Sequence, residues 1–224
     1  MTKTATERAK KIKIILFDVD GVLTDGGILL FPAATPGHEP SAFNDVVQRR
    51  LSETEGKAGF GILSASMVEA KGFHAHDGTS ISMARLGGLQ TGVITKRISE
   101  TVALRARDLK LDFVYMGQSY KMQAVREIQG KTGAALEEIA YVGDDIIDLP
   151  VMRQCGLAIA VADAREQVKA AAHYITPKAG GRGAARDAVE FILEAQGTLE
   201  RVIEEYIDER NPMAPSMDIG KGGI

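Results

Sequence analysis

Cys155 is the single cysteine among 224 residues, so an internal disulfide and a cysteine-based zinc site are both excluded. No apolar run approaches the roughly 20 residues that a membrane-crossing helix requires. Lys10, Lys11 and Lys13 precede an apolar stretch, but it is too short for a signal peptide and stops at Asp18, so a cytoplasmic location is expected. A basic excess is missing as well. The formal net charge of −3 leaves no electrostatic footprint for nucleic acid. The 24 glycines are scattered, which signals tight turns rather than low complexity. What remains is an ordinary folded composition, 45% hydrophobic and 25% charged, long enough for one domain with a sizeable core.

The chain is organised around Ile14-Ile15-Leu16-Phe17-Asp18-Val19-Asp20-Gly21. Four apolar residues running into a polar turn read as a strand buried on both faces, as in the middle of a parallel sheet. In an extended strand Asp18 and Asp20 point the same way. Two carboxylates about 6–7 Å apart repel by roughly 2–3 kcal/mol at an effective dielectric near 20. A bound cation would offset that repulsion; a solvated loop carrying two ordinary acids is the plain alternative.

Strand one is expected over about 12–17 and a second short strand over 28–31, broken by Pro32. Residues 27–75 read as a β-hairpin excursion carrying an inserted helix. Ser41 is a suitable N-cap, Phe43, Val46, Val47 and Leu51 fall at helical spacing, and strands are expected over 60–65 and 67–73. From Asp77-Gly78 onward strands and helices alternate: helix 79–86, strand 90–95, helix 99–110, strand 113–116, helix 119–132, strand 139–142, helix 145–155, strand 157–161, helix 164–171 and an edge strand 173–175. Amphipathic helices over 184–195 and 198–209 follow, and residues 211–224 are expected to form a flexible tail. Such alternation predicts an α/β fold with a doubly wound parallel sheet and its chemistry at the carboxyl ends of the strands.

Polar groups stand at those ends. Strand 90–94 runs into Thr95-Lys96-Arg97, and strand 139–142 runs into Gly143-Asp144-Asp145-Ile146-Ile147-Asp148. Between them Lys121 opens a helix, where the dipole disfavours a cation unless an anion faces it. Taken singly each has a bland explanation: Thr95 is a common strand-end residue, Lys121 a solvated cation, and the 144–148 acids a helix cap. Their order, each after a strand or at a helix start, is what points to a site. His74-x-His76 is expected on a strand, where two histidines without a third ligand more often mark a surface than a metal.

These elements resemble the four motifs of the haloacid dehalogenase (HAD) superfamily over about residues 12–195. The finer pattern is similar to the 3-deoxy-D-manno-octulosonate 8-phosphate phosphatase family. It comprises Asp18 to Gly26, Gly117-Gln118-Ser119-x-Lys121, the run from Tyr141 through Asp148 to Met152, Val161 to Ala164, and Ala179 to Arg186. The resemblance implies a single HAD core over 1–210 with no large cap, Mg²⁺ as cofactor and a role in lipopolysaccharide biosynthesis. It also implies a homotetramer built through the hairpin. Asp18 would be the nucleophile and Asp20 the general acid, while Thr95 and Lys121 would hold the phosphoryl group. Asp18, Asp20 and Asp144 would bind the metal, with Asp145 and Asp148 behind them. Gly21, Lys96, Arg97, His76, Arg182 and Arg186 are the expected substrate contacts. The chain departs from the family in having Thr95-Lys96-Arg97 where Thr-Gly-Arg is usual, and in its longer hairpin. Both departures lie where substrate would be read.

The reaction that the resemblance implies is hydrolysis of a phosphorylated sugar acid through an aspartyl-phosphate, first the octulosonate 8-phosphate and alternatively a nine-carbon sugar-acid 9-phosphate or another small-molecule phosphate ester. A signalling receiver domain would need an acceptor aspartate at the end of strand 113–116, and Phe113 to Gly117 offers none. A non-catalytic assembly subunit would be favoured had Asp18, Asp20 or Lys121 been replaced; all three are present.

Overall fold

The computed structural model describes residues 4–32, 67–208 and 210. Its centre is a six-stranded parallel sheet in the order β5-β4-β1-β6-β7-β8. The strands are β1 (Ile14–Phe17), β4 (Gln90–Ile94), β5 (Phe113–Tyr115), β6 (Ile139–Gly143), β7 (Leu157–Ala160) and β8 (Tyr174–Ile175). All four residues of β1 have no exposed surface, and β1 pairs with β4 on one side and β6 on the other. Burying each of those side chains is worth about 1.5–3 kcal/mol, so this apolar run has every reason to take the middle position.

The helices are α1 (Ala5–Ala9), α2 (Ala75–Leu86), α3 (Glu100–Asp108), α4 (Lys121–Thr132), α5 (Leu149–Met152), α6 (Glu166–Ala171), α7 (Ala184–Ala195) and α8 (Leu199–Ile207). Two groups flank the sheet: α2 packs on α7 and α8, and α7 on α1, while α5 packs on α4 and α6. Met122 and Met152 lie in the core. The doubly wound parallel sheet of the sequence reading is therefore the fold, and the described residues include no large cap.

Strands β2 (Leu29–Pro32) and β3 (Met67–Ala70) form a separate antiparallel ribbon, with Leu30 opposite Glu69 and Phe31 opposite Val68. The two ends of the expected hairpin are thus paired. The helix expected near 41–51, the strand over 60–65 and the tail 211–224 lie outside the described residues.

Three boundaries differ for physical reasons. Strand β3 stops at Ala70, and His74 is not on a strand: its Nδ1 accepts the His76 amide at 3.3 Å and caps α2, so that helix starts at Ala75. Pro32 ends the β2 ladder from within, opposite Met67, rather than breaking it from outside. The helix expected over 145–155 is a 3₁₀ turn, Ile146–Asp148, followed by the single α turn α5. There the Asp148 carboxylate folds back to accept the amides of Asp144 (3.0 Å) and Asp145 (3.2 Å), which tightens the turn.

Candidate active site

β1 delivers Asp18 to the carboxyl edge of the sheet. The Asp18 amide continues the ladder to Val142 O (3.0 Å), and its Oδ1 accepts the Val19 amide at 2.6 Å. The chain then turns sharply, because the amides of Val22, Leu23 and Thr24 all converge on Val19 O. Gly21 has φ +88, and a Cβ there would sit 2.2 Å from Asp144 Oδ2. Only glycine fits that position, since both the left-handed backbone and the approach to Asp144 exclude a side chain.

Lys121, at the first turn of α4, is 2% exposed. Its Nζ lies 2.6 Å from Asp18 Oδ2, 2.7 Å from Asp148 Oδ1 and 3.1 Å from Tyr141 Oη. Tyr141 donates to Asp148 Oδ1 at 2.7 Å. Burial, reinforced by Asp148, holds that phenol well above its usual range, so it stays a donor. Asp148 is fully buried, and both its oxygens are engaged by Lys121, Tyr141 and the 144–145 amides. A buried ammonium is tolerable only with such partners.

Asp18, Asp144 and Asp148 each bring a carboxylate oxygen within 4.8 Å of the others. Burial first, then the charge of Asp148, pushes the Asp18 carboxyl up to about 6 against the pull of Lys121. Burial followed by repulsion from Asp148 and Asp18 pushes Asp144 up to about 8. Its Oδ1 is buried without a hydrogen-bond partner. Three carboxylates facing one ammonium leave an excess of two negative charges if all are ionised. A divalent cation would cancel that excess and give the unpartnered Asp144 Oδ1 a partner. An all-oxygen donor set with few carboxylates suits Mg²⁺. The residues present therefore fit the metal: Asp18 and Asp144 are the carboxylates that could hold it, while Asp148 is already bonded to Lys121, Tyr141 and the 144–145 amides.

The other expected residues divide into those the fold gathers here and those it pairs elsewhere. Thr95 is buried at the end of β4, its Oγ1 accepting the Arg97 amide at 3.2 Å. Asp20 contacts Lys71 through Oδ1, and Arg97 Nε lies 3.9 Å from its Oδ2. Lys96 is exposed. Asp145 caps the 3₁₀ turn through the Ile146 amide at 2.8 Å. His76 is exposed on the first turn of α2. Arg182 pairs with Asp25 at 3.4 Å and Arg186 with Glu190 at 2.5 Å, so both guanidinium groups are engaged away from the acid cluster.

Lys71, Glu69, Tyr141 and Asp77 escaped the sequence reading. Asp77, buried in α2, accepts the amides of Gly183 (3.2 Å) and Arg186 (3.0 Å) and so caps α7 from across the fold. Burial raises its carboxyl despite those amides. The loop before α7 packs on the catalytic turn: a Cβ on Gly180 would fall 1.8 Å from Gly21 O, and Gly181 donates to Val22 O at 2.8 Å. The Asp77-Gly78 pair carried a signal, read only as the start of alternation.

A haloacid dehalogenase-like hydrolase family model matches residues 95–186. The 3-deoxy-D-manno-octulosonate 8-phosphate phosphatase of Escherichia coli (strain K12) is 35% identical over 193 residues, covering 86% of this chain and 85% of that protein. This chain belongs to that family of HAD phosphatases. Among solved structures, the Yersinia pestis phosphatase of the same name superposes with a TM-score of 0.69 at 33% identity, covering 88% of each chain. The Moraxella catarrhalis phosphatase, solved with a magnesium ion, a phosphate ion and a KDO molecule, has a TM-score of 0.70 at 32% identity, covering 89% of this chain and 96% of that one. Family membership accounts for the match between the gathered acids and Mg²⁺.

Proposed function

We propose that this chain is a Mg²⁺-dependent phosphatase that hydrolyses a phosphorylated sugar acid, 3-deoxy-D-manno-octulosonate 8-phosphate first of all. The observation that carries this reading is Lys121 Nζ at 2.6 Å from Asp18 Oδ2, beside the unpartnered Asp144 Oδ1. Two carboxylates and an amine gathered around one point support a reading in which Asp18 is the nucleophile and Asp144 a metal ligand. The relatives named for this substrate supply its identity.

Asp18 attacks phosphorus as the bond to the leaving oxygen breaks, and Asp20 gives that oxygen its proton. Water then attacks the aspartyl-phosphate and passes its proton to Asp20, and Asp18 leaves as carboxylate. Splitting the displacement in this way gives two easier steps. Monoester hydrolysis requires removal of about 20 kcal/mol or more of barrier, of which orientation supplies roughly 7–11. Lys121 and Thr95 neutralise and hold the phosphoryl oxygens. Asp18, Asp144 and the Asp20 carbonyl would hold Mg²⁺, which would supply the remaining positive charge. Gly21, Lys96, Arg97 and His76 line the approach in this reading; Arg182 and Arg186 would reach substrate only by leaving Asp25 and Glu190.

The test is phosphate release in Mg²⁺ across a panel of phosphosugars and phosphosugar acids. The eight-carbon sugar-acid ester is expected to be turned over fastest. Comparable rates on every ester would remove the sugar-acid assignment, a preference for the nine-carbon acid would transfer it, and no release from any would leave an assembly subunit.

We also infer a cytoplasmic homotetramer, built on one HAD core over 1–210. Leu29, Leu30, Phe31 and Val68 are each more than half exposed on the β2–β3 ribbon. A two-stranded ribbon is marginal alone in water, and clustered apolar exposure marks an interaction surface. Sedimentation of the purified chain is expected to give four times the chain mass; a monomer at micromolar concentration would remove this inference.

A further inference from the structure

Strand β3 and the residue that follows it carry two charged side chains, Glu69 and Lys71, toward the turn after β1. Lys71, immediately after β3, has a side chain with no exposed surface; its Nζ contacts Asp20 Oδ1 and lies 3.4 Å from Glu69 Oε1. Glu69 is in turn fixed by Arg97 Nη2 at 2.8 Å and by Ser99 Oγ, which donates at 2.7 Å. Its backbone carbonyl accepts from Thr101 Oγ1 at 2.9 Å. Burial pulls the Glu69 carboxyl upward, but the bonds from Ser99 and Arg97 prevail and hold it below the usual carboxylate range. Glu69 is thus an anionic clamp between the ribbon and the loop after β4.

The Lys71 ammonium is costly to bury unless it is paired, which confines it to the space between Glu69 and Asp20. The second oxygen of Asp20 is treated differently. Arg97 Nε is 3.9 Å from Oδ2, beyond hydrogen-bonding distance, and its side chain is 41% exposed at the mouth of the site.

We propose that Lys71 is a positioning residue for Asp20, a role that rests on the phosphatase reading above. By occupying Oδ1 it fixes the rotation of the carboxyl and leaves Oδ2 as the oxygen that exchanges protons. When the bond from phosphorus to the leaving oxygen breaks, the Oδ2 proton passes to that oxygen and Asp20 becomes a carboxylate facing Lys71. When water attacks the aspartyl-phosphate, its proton returns to Oδ2. Glu69 acts one step further back, because it holds Lys71 and Arg97 and ties both to Ser99 and Thr101. The ribbon thereby shapes the acid-base group of its own subunit, apart from any part it takes in assembly.

Leaving-group dependence separates this role from a merely structural one. A sugar alkoxide must be protonated as it departs, whereas p-nitrophenolate departs without a proton. The experiment measures kcat and KM of wild type, Lys71→Met and Lys71→Arg on 3-deoxy-D-manno-octulosonate 8-phosphate and on p-nitrophenyl phosphate, with melting curves for each protein. General acid-base catalysis contributes about 10²–10⁴-fold. Lys71→Met should therefore lose roughly 100-fold in kcat/KM, which reads the steps up to departure of the leaving group, on the sugar-acid ester and less than about 10-fold on p-nitrophenyl phosphate. Lys71→Arg, which keeps the charge, should recover part of the difference.

Equal losses on both esters, or a change confined to KM, would overturn the proposal, as would unchanged turnover. If Lys71→Met fails to fold, the ratio of the two rates in Lys71→Arg decides: a ratio equal to that of wild type overturns it. Wild type that hydrolyses neither ester rejects the phosphatase reading itself, and this inference with it.

Discussion

Asp18→Asn folds with a melting temperature close to that of the unaltered chain and releases no phosphate. Asparagine has the shape of aspartate, and its carbonyl oxygen can still accept from the Val19 amide, 2.6 Å from Oδ1 in the native site. The substitution also removes one charge from a cluster in which burial and Asp148 already push the Asp18 carboxyl up to about 6. Lys121 keeps Asp148 at 2.7 Å and Tyr141 at 3.1 Å, so its ammonium is not stranded. A stability change within about 1 kcal/mol is expected, in contrast to the ~3–5 kcal/mol that follows when a buried ion loses its only partner. Chemistry fares differently. A carboxamide cannot form the acyl-phosphate bond, and loss of a nucleophile costs on the order of 10⁴–10⁶-fold in kcat. Near-normal melting with turnover at the detection limit is the expected pair of results.

The second large effect is on stability against pH in metal-free protein. The carboxyls of Asp18 and Asp144 are raised to about 6 and about 8 in the folded chain, in both cases chiefly by burial. Both lie above the ordinary carboxylate value, so the folded state holds protons that the unfolded state has already released. The stability these groups contribute is complete below about pH 4. It is lost as pH rises through 6 for Asp18 and through 8 for Asp144. Chelated protein should therefore melt at a lower temperature at pH 9 than at pH 6. A loss of roughly 2 kcal/mol corresponds to a drop of roughly 4–8 °C for a chain of this size. Mg²⁺ should raise the midpoint more at pH 9 than at pH 6, because it replaces protons on the same oxygens. Asp144→Asn should flatten the metal-free slope. A midpoint that stays level from pH 6 to pH 9 in chelator would contradict the raised carboxyls, and an Mg²⁺ shift unchanged in Asp144→Asn would mean that this cluster is not the binding site.

Much of the site was readable along the chain because each piece sits beside a strand whose composition is unmistakable. The Ile14–Phe17 run reads as a central strand, which puts Asp18 at its carboxyl end. Thr95, Lys121 and Asp144 followed from the same logic at β4, α4 and β6. The unread residues act across distance. Lys71 follows an apolar ribbon strand, where a lysine looks solvated; only the return of β3 to the loop after β4 turns it toward Asp20. Tyr141 lies inside a buried strand, and nothing local shows that its hydroxyl meets Asp148 and Lys121. Asp77 marks only the start of alternation along the sequence, yet its carboxylate caps a helix more than 100 residues away.

Two misreadings have local causes. Histidine is not among the favoured N-cap residues, so His74 was read with the preceding strand, whereas its ring accepts the His76 amide and starts α2 four residues early. The acids at 144–148 suggested one long helix, but Asp148 spends its carboxylate on the amides behind it and on Lys121. That geometry leaves Asp144 free for a cation. Arg182 and Arg186 suit a substrate carboxylate by residue type, and in the fold they pair with Asp25 and Glu190.

A covalent phosphoryl-enzyme is the most direct witness to the mechanism. Enzyme turning over radiolabelled phosphosugar acid in Mg²⁺, quenched in acid and mapped by peptide, should carry hydroxylamine-labile phosphate on the fragment containing Asp18. The label should vanish in Asp18→Asn and in chelator. Label on another residue, or full phosphate release by Asp18→Asn, would contradict the account.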